Sequence, residues 1–337
     1  MTEPPESLHS PRSTTGPSLA VGPQPSLATD TFELDGAATV ADELSFQSGL
    51  ELVARSQWWY ARHRFLRHRL AMLSLLVLAI VFLAGIFASV LAPYGRDSLN
   101  FAALSQSPSL HHLFGTDQLG RDYFSRTLYG IQTTAKVSLL VALIATVLGV
   151  ILGSFSGYYG GWLDNLLMRI TDLFLVVPAL AVLLVAAKFL GHGTAVRIAI
   201  ILGLLFWTNI ARIVRGSYLS LKEKEYIEAA KASGSGDMRI MFRHILPNTI
   251  GAIVVSATLL TGLAILTEST ISFLGFGVLP PTPSLGNLIA DGQGAGLSLW
   301  WLVTFPGLTI VVIILCVNFI GDGLRDALDP SQRRIRA

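Results

Sequence analysis

The chain has 337 residues, of which 52% are hydrophobic and 14% charged, and a mean hydropathy of +0.58. Soluble domains average about 25% charged residues, so a soluble globular protein is excluded. The apolar residues gather in long uncharged runs, a net charge of +2 is too mild for a nucleic-acid partner, and the single Cys316 leaves no intrachain disulfide and no multi-cysteine metal site.

Residues 1–50 hold six of the fifteen prolines, many Ser and Thr, and one basic residue, Arg12. Such a composition buries too little apolar area to offset ordering entropy and predicts a disordered tail. The tail has no basic start followed by an apolar run, so it is not read as a secretory signal and is expected to stay on the mature chain. Over 51–69 the composition flips to Trp58, Trp59 and Tyr60 with Arg62, Arg64, Arg67 and Arg69. Rings at headgroup level beside arginines suggest a short interfacial helix, although a plain basic flank has the same composition.

Residues 70–332 read as an all-α polytopic membrane bundle of six transmembrane helices. No Asp, Glu, Lys or Arg falls between Arg69 and Arg96, Lys136 and Asp164, Arg243 and Glu268, or Asp291 and Asp322. Each gap holds the roughly 20 apolar residues that cross a bilayer. Between Asp172 and Arg212, two shorter apolar stretches split by Gly191, His192 and Gly193 read as a helical hairpin, with Pro178 bending the third span. Gly149, Gly153 and Gly203 suit close helix packing, whereas Gly157, Gly160 and Gly161 with Tyr158 and Tyr159 suggest an interfacial turn. With Arg12 and Lys136 left out of the count, one side of this arrangement collects 17 Lys and Arg and the other 5, which predicts that both termini are cytoplasmic. A short basic tail, 333–337, closes the chain.

The largest connection on the basic side, 221–247, carries a helix-forming stretch that ends at Ser233 and Gly234. Asp237 then opens a second helix expected to stop before Pro247. Ala229 and Ala230 keep one face flat for a close partner, and Gly234 suits a positive-φ turn. A solvated charged hairpin is the alternative reading of these residues alone.

The order Glu228, Ala229, Ala230, Gly234, then Leu246 and Pro247, resembles the EAA loop of permease subunits in ATP-binding-cassette importers, with His244 where that family usually has an aliphatic residue. The stretches GTDQLGRDYFSRTLYG (115–130), ESTISFLGFG (268–277), PPTPSLGNLI (280–289) and GDGLRDALDP (321–330) look like the C subunit of dipeptide and oligopeptide permeases, which is similar to nickel-transporting relatives. The likeness covers about 65–332, with Leu285 where Trp is frequent. It implies a type I importer permease fold and an ATPase-coupling role for Glu228, Ala229, Ala230, Gly234, His244, Leu246 and Pro247. It also implies four kinds of partner: a homologous B-type permease subunit, two cytoplasmic ATPase subunits or domains, an extracytoplasmic substrate-binding protein, and membrane lipid. Nickel or another small solute is the alternative cargo.

Glu268, Asn209 and Asn318 are the polar groups within spans that suit a translocation path or gate. Glu268 is expected near the outer interface, where a charge costs little, and a structural role weighs above substrate contact. His111 and His112 do not read as a metal site, and no bound cofactor is expected. The chain has no Gly-Lys dipeptide, Gly-x-Ser-x-Gly or His-Glu-x-x-His, so ATP and Mg are expected to be used by partners and no catalytic residue is assigned. An ion-driven secondary transporter is the competing class; it usually carries mid-membrane carboxylates, which the spans lack.

Overall fold

Backbone amides in a bilayer have no water to bond, so an apolar chain that crosses it must satisfy them within helices. The computed structural model describes residues 57–190 and 194–328, which are helical almost throughout, with one isolated bridge, Thr116 to Asp122, and no strand among them. The tails 1–50 and 333–337 and the hairpin residues Gly191, His192 and Gly193 lie outside the described residues.

Helix α1 (Gln57–Arg67) is the helix expected within 51–69. His68 separates it from α2 (Arg69–Ile86), its Nδ1 accepting the Ala71 amide at 3.1 Å as an N-cap. A single turn, α3 (Ala88–Leu91), leads into an irregular segment that ends at Asp122. Then follow α4 (Tyr123–Tyr159), α5 (Gly161–Val176), α6 (Ala179–Leu190), α7 (Ala195–Leu221) and the short α8 (Glu225–Ala232). The run α9 (Asp237–Arg239), a π turn (Ile240–Ile245) and α10 (Leu246–Phe273) is continuous, and α11 (Leu285–Gly294) and α12 (Trp301–Leu328) complete the fold.

Five helices are long and apolar enough to cross a membrane: α2, α4, α7, the 237–273 run and α12. Helices α5 and α6 pass the same test only as a pair, bent by 78° at the break between them, which gives six spans when the pair is counted as one. The bend falls where Pro178 predicts it. The helix that opens this pair begins earlier than the apolar count suggests, because Asp172, which bounded that count, is carried within α5 and pairs with Arg212 of α7 at 2.6 Å, as Asp164 at its start does with Arg215 at 2.5 Å.

Close approach of α4 and α7 organises the interior. Gly149, Gly153 and Gly157 recur every four residues on one face of α4, and added β-carbons there would lie 2.7 Å from Ile210 Cβ, 2.5 Å from Ala211 O and 2.6 Å from Tyr218 Cβ. Gly203 makes the reciprocal approach to Ile144. Such contact substitutes for a hydrophobic drive that lipid does not supply. Gly157 is therefore a helix-packing position; the turn expected at 157–161 is confined to Gly160 and Gly161, with φ of 67° and 59°.

Candidate functional site

The loop between α7 and α10 is built from one buried anchor and one free face. Ile227 of α8 is fully buried among Tyr218, Ile240, Met241 and Ile245, with Ala230 and Leu246 packed against the same cluster. Glu228 and Ala229 are exposed on the outer face. Beyond Ala232 the chain reverses in a Schellman motif: the Ser235 amide bonds Ala230 O at 3.0 Å, the Gly234 amide bonds Lys231 O at 2.9 Å, and Gly234 has φ of 81°. Eight residues are too few to hold a helix by propensity, so this cap and the Ile227 anchor fix α8.

Two side chains tie the loop to the spans. The Tyr218 hydroxyl donates to Met241 O at 3.0 Å, and the Tyr158 hydroxyl donates to Asp237 Oδ1 at 2.7 Å. Sequence reasoning missed Ile227, Tyr158 and Tyr218; the four-residue glycine spacing, which places Tyr218 beside α4, was the available signal. Gly236 takes the cap position, with Asp237 already in the first turn.

The second loop helix does not stop before Pro247. It runs on into α10 through the π turn, in which the Leu246 amide bonds Met241 O, five residues back. Pro247 follows directly after the π turn, in the first turn of α10, and the helix continues through it. Pro247 is exposed, whereas His244 and Leu246 are half-buried. The residues singled out in the sequence thus divide into a free face (Glu228, Ala229, Gly234) and an inward set (Ala230, Leu246).

At the other end of the spans, the 115–130 stretch folds into a cap. Asp117 accepts the Leu119 and Arg121 amides at 2.9 Å and pairs with Arg121 Nε at 2.6 Å and Arg126 Nη1 at 3.2 Å. Arg126, almost fully buried, also reaches Asp291 of α11 at 3.3 Å. Asp122 caps α4 through the Ser125 amide and pairs with buried His112 at 2.8 Å. No cluster of three or more His, Cys, Asp or Glu residues suited to a metal occurs among the described residues.

Glu268 is fully buried. Thr134 of α4 donates to its Oε2 at 3.0 Å and Ser272 to its Oε1 at 2.7 Å. Thr134 also accepts the Leu285 amide at 3.4 Å, and Ser272 the Val278 amide at 3.0 Å. Glu268 lies near the end of α10, and its carboxyl meets protein hydroxyls rather than the aqueous interface expected from the sequence. Arrival of α11 beside α10 accounts for this: an added β-carbon at Gly286 would lie 2.1 Å from Ser269 O. Asn209 and Asn318, by contrast, are exposed on the flanks of α7 and α12. The three path candidates therefore do not converge within one chain. A cavity of about 330 Å³ between α2, α4 and α12 has an almost wholly apolar lining that includes Ile80, Phe114 and Phe305.

Helices long and apolar enough to cross a membrane, joined by a cap tied with ion pairs and by a short loop helix anchored at Ile227, are those of a multi-pass membrane protein. Residues 149–334 match the family model described as binding-protein-dependent transport system inner membrane component, and residues 56–108 match the N-terminal TM domain of oligopeptide transport permease C. The oligopeptide transport system permease protein OppC of Escherichia coli K12 is 42% identical over 291 residues, covering 86% of this chain and 96% of that protein. OppC of Mycobacterium tuberculosis H37Rv is 40% identical over 247 residues (73% and 85%), and a putative peptide transport system permease protein of Brucella suis is 40% identical over 250 residues (73% and 83%). The chain belongs to the family of binding-protein-dependent transport system inner membrane components, and it is a permease component of an ATP-binding-cassette importer.

Proposed function

We propose that this chain forms half of a translocation path for di- or oligopeptides, beside a homologous B-type permease subunit, and that α8 seats on a cytoplasmic ATPase. The observation that carries the coupling role is the construction of α8. Its inner face is fixed by Ile227 and its end by the Schellman motif, while Glu228 and Ala229 are left free. A helix held this way transmits a push instead of absorbing it. The relatives named as peptide or oligopeptide permeases support the cargo. The chain has no phosphate-cradling loop, so ATP and Mg belong to partner subunits, and an extracytoplasmic binding protein delivers the substrate. Both termini lie in the cytoplasm, on the side that collects most of the Lys and Arg. Glu268, sealed by hydroxyls inside the chain, serves as a structural joint rather than an ion relay.

The test is co-purification of the ATPase with the wild-type complex and with Glu228→Lys and Ala229→Trp, together with uptake into vesicles. Reduced ATPase association and uptake with normal membrane insertion is the expected result. Normal values for both variants would remove the coupling assignment.

A further inference from the structure

Helix α1 is fixed at the level where two spans meet the membrane surface. Only His68 separates it from α2, and its Phe65 ring packs near the end of α12, where an added β-carbon at Gly323 would lie 3.5 Å from both Phe65 Cε2 and His68 Nδ1. The inner face, Ala61, Arg64 and Phe65, is half-buried. The outer face is left open: Trp59 is 42% and Leu66 50% exposed, and Arg62, His63 and Arg67 are exposed with them.

At about 3.6 residues per turn, Trp59, His63 and Leu66 run along the middle of this face, with Arg62 on one flank and Arg67 on the other. The Trp59 ring stacks on His63 at 5.3 Å. Beyond Leu66 the apolar strip continues through exposed Leu70 and Leu73 onto the flank of the first span. No Asp or Glu occurs between Glu51 and Asp97, and Arg62 and Arg67 form no ion pair among the described residues.

Charge and apolarity together decide what meets this face. Water would leave the Trp59 and Leu66 surface hydrated at a cost. A protein partner would have to bring an acid for each arginine into a dry contact. The headgroup layer satisfies both, because arginine stems lie along apolar surface while the guanidinium forks hold phosphate oxygens.

We propose that the outer face of α1 binds anionic phospholipid headgroups, with Arg62 and Arg67 on the phosphates and Trp59 and Leu66 at the acyl boundary. A zwitterionic lipid offsets its phosphate with a cation of its own, whereas an anionic lipid leaves the charge for arginine, and each basic residue at the surface adds to the attraction. Helix α1 thereby ties the start of α2 and the end of α12 to one leaflet.

The experiment uses the assembled complex in vesicles of equal parts phosphatidylglycerol and phosphatidylcholine. Leu66→Cys in a Cys316→Ser background carries a bimane fluorophore, and one lipid species at a time is brominated, since bromine quenches only at short range. Brominated phosphatidylglycerol should quench about threefold or more strongly than brominated phosphatidylcholine, and the preference should fade in about 1 M salt. Arg62→Gln with Arg67→Gln should bring the ratio near that of Leu76→Cys, a position exposed two turns into α2, while quenching by lipid persists. Equal quenching by the two lipids with both arginines present would overturn the proposal, as would a preference that survives salt or the double substitution. Quenching by neither lipid would place another subunit or water on this face and overturn it equally. No ATPase or substrate takes part, so the outcome is independent of the coupling role.

Discussion

The Tyr158 hydroxyl donates to Asp237 Oδ1 at 2.7 Å, joining the last turn of α4 to the first turn of the helix that follows the α8 reversal. Under the coupling role proposed above, this bond is the route by which a displacement of α8 would reach α4 and, through the glycine face of α4, α7. Tyr158→Phe removes one neutral-to-charged hydrogen bond at an accessible site, a cost of about 1 kcal/mol or less. The variant should fold and bind ATPase normally while uptake per ATP hydrolysed falls. Parallel uptake and ATPase assays on reconstituted vesicles check this, and an unchanged ratio would mean that the tie carries no motion.

Gly234 sits at φ of 81° with open space around it, so backbone strain alone decides the effect of substitution. Gly234→Val, β-branched in the left-handed region, should cost about 1–3 kcal/mol locally and fray α8, lowering ATPase co-purification. Gly234→Asn, which tolerates that region, should restore most of it. Equal losses for the two would point to a contact rather than to strain.

For the α4–α7 contact, Gly153→Val is expected to force the helices apart, because the added β-carbon would lie 2.5 Å from Ala211 O. Overpacking of this kind costs about 1–3 kcal/mol. Gly216→Ala on α7, with nothing within 4 Å of the new atom, should be neutral or slightly stabilising. Thermal unfolding of the two purified variants in detergent separates them, and matching midpoints would contradict the packing account.

Removing the Glu268 carboxyl leaves the Thr134 and Ser272 hydroxyls without their buried acceptor. Glu268→Ala should therefore lower thermal stability by about 1–3 kcal/mol, with α11 loosened from α4 and α10. Glu268→Gln keeps one acceptor oxygen and should retain substantial uptake. Complete loss of uptake in a stable Glu268→Gln complex would assign the carboxyl a direct part in transport.

Topology is best tested where the chain is open. Leu110 is 96% exposed in the segment before α4, and Met238 is 53% exposed in the loop, whereas Ser284 is fully buried and a poor reporter. In a Cys316→Ser background, an impermeant thiol reagent should label Leu110→Cys in intact cells and Met238→Cys only after lysis. The reverse pattern would invert the cytoplasmic assignment of the termini.

Composition and charge spacing alone settled the helical membrane class, the positions of the long spans, the bend at Pro178 and the outline of the loop. These follow from rules that act along the chain: a bilayer demands about 20 uncharged residues, proline lacks an N–H, and glycine permits a positive φ. Tertiary structure decided what depends on residues distant in sequence. Pro247 reads locally as a stop, yet a π turn carries the helix past it, and the Met241 carbonyl in that turn also accepts the Tyr218 hydroxyl from a distant helix. Gly157 reads as part of a turn, yet it is consumed by contact with Tyr218 and Arg215. Glu268 lies near the end of α10 as counted along the chain, but α11 folds against that end and Thr134 and Ser272 converge on the carboxyl, so burial rather than distance along the helix fixed its surroundings.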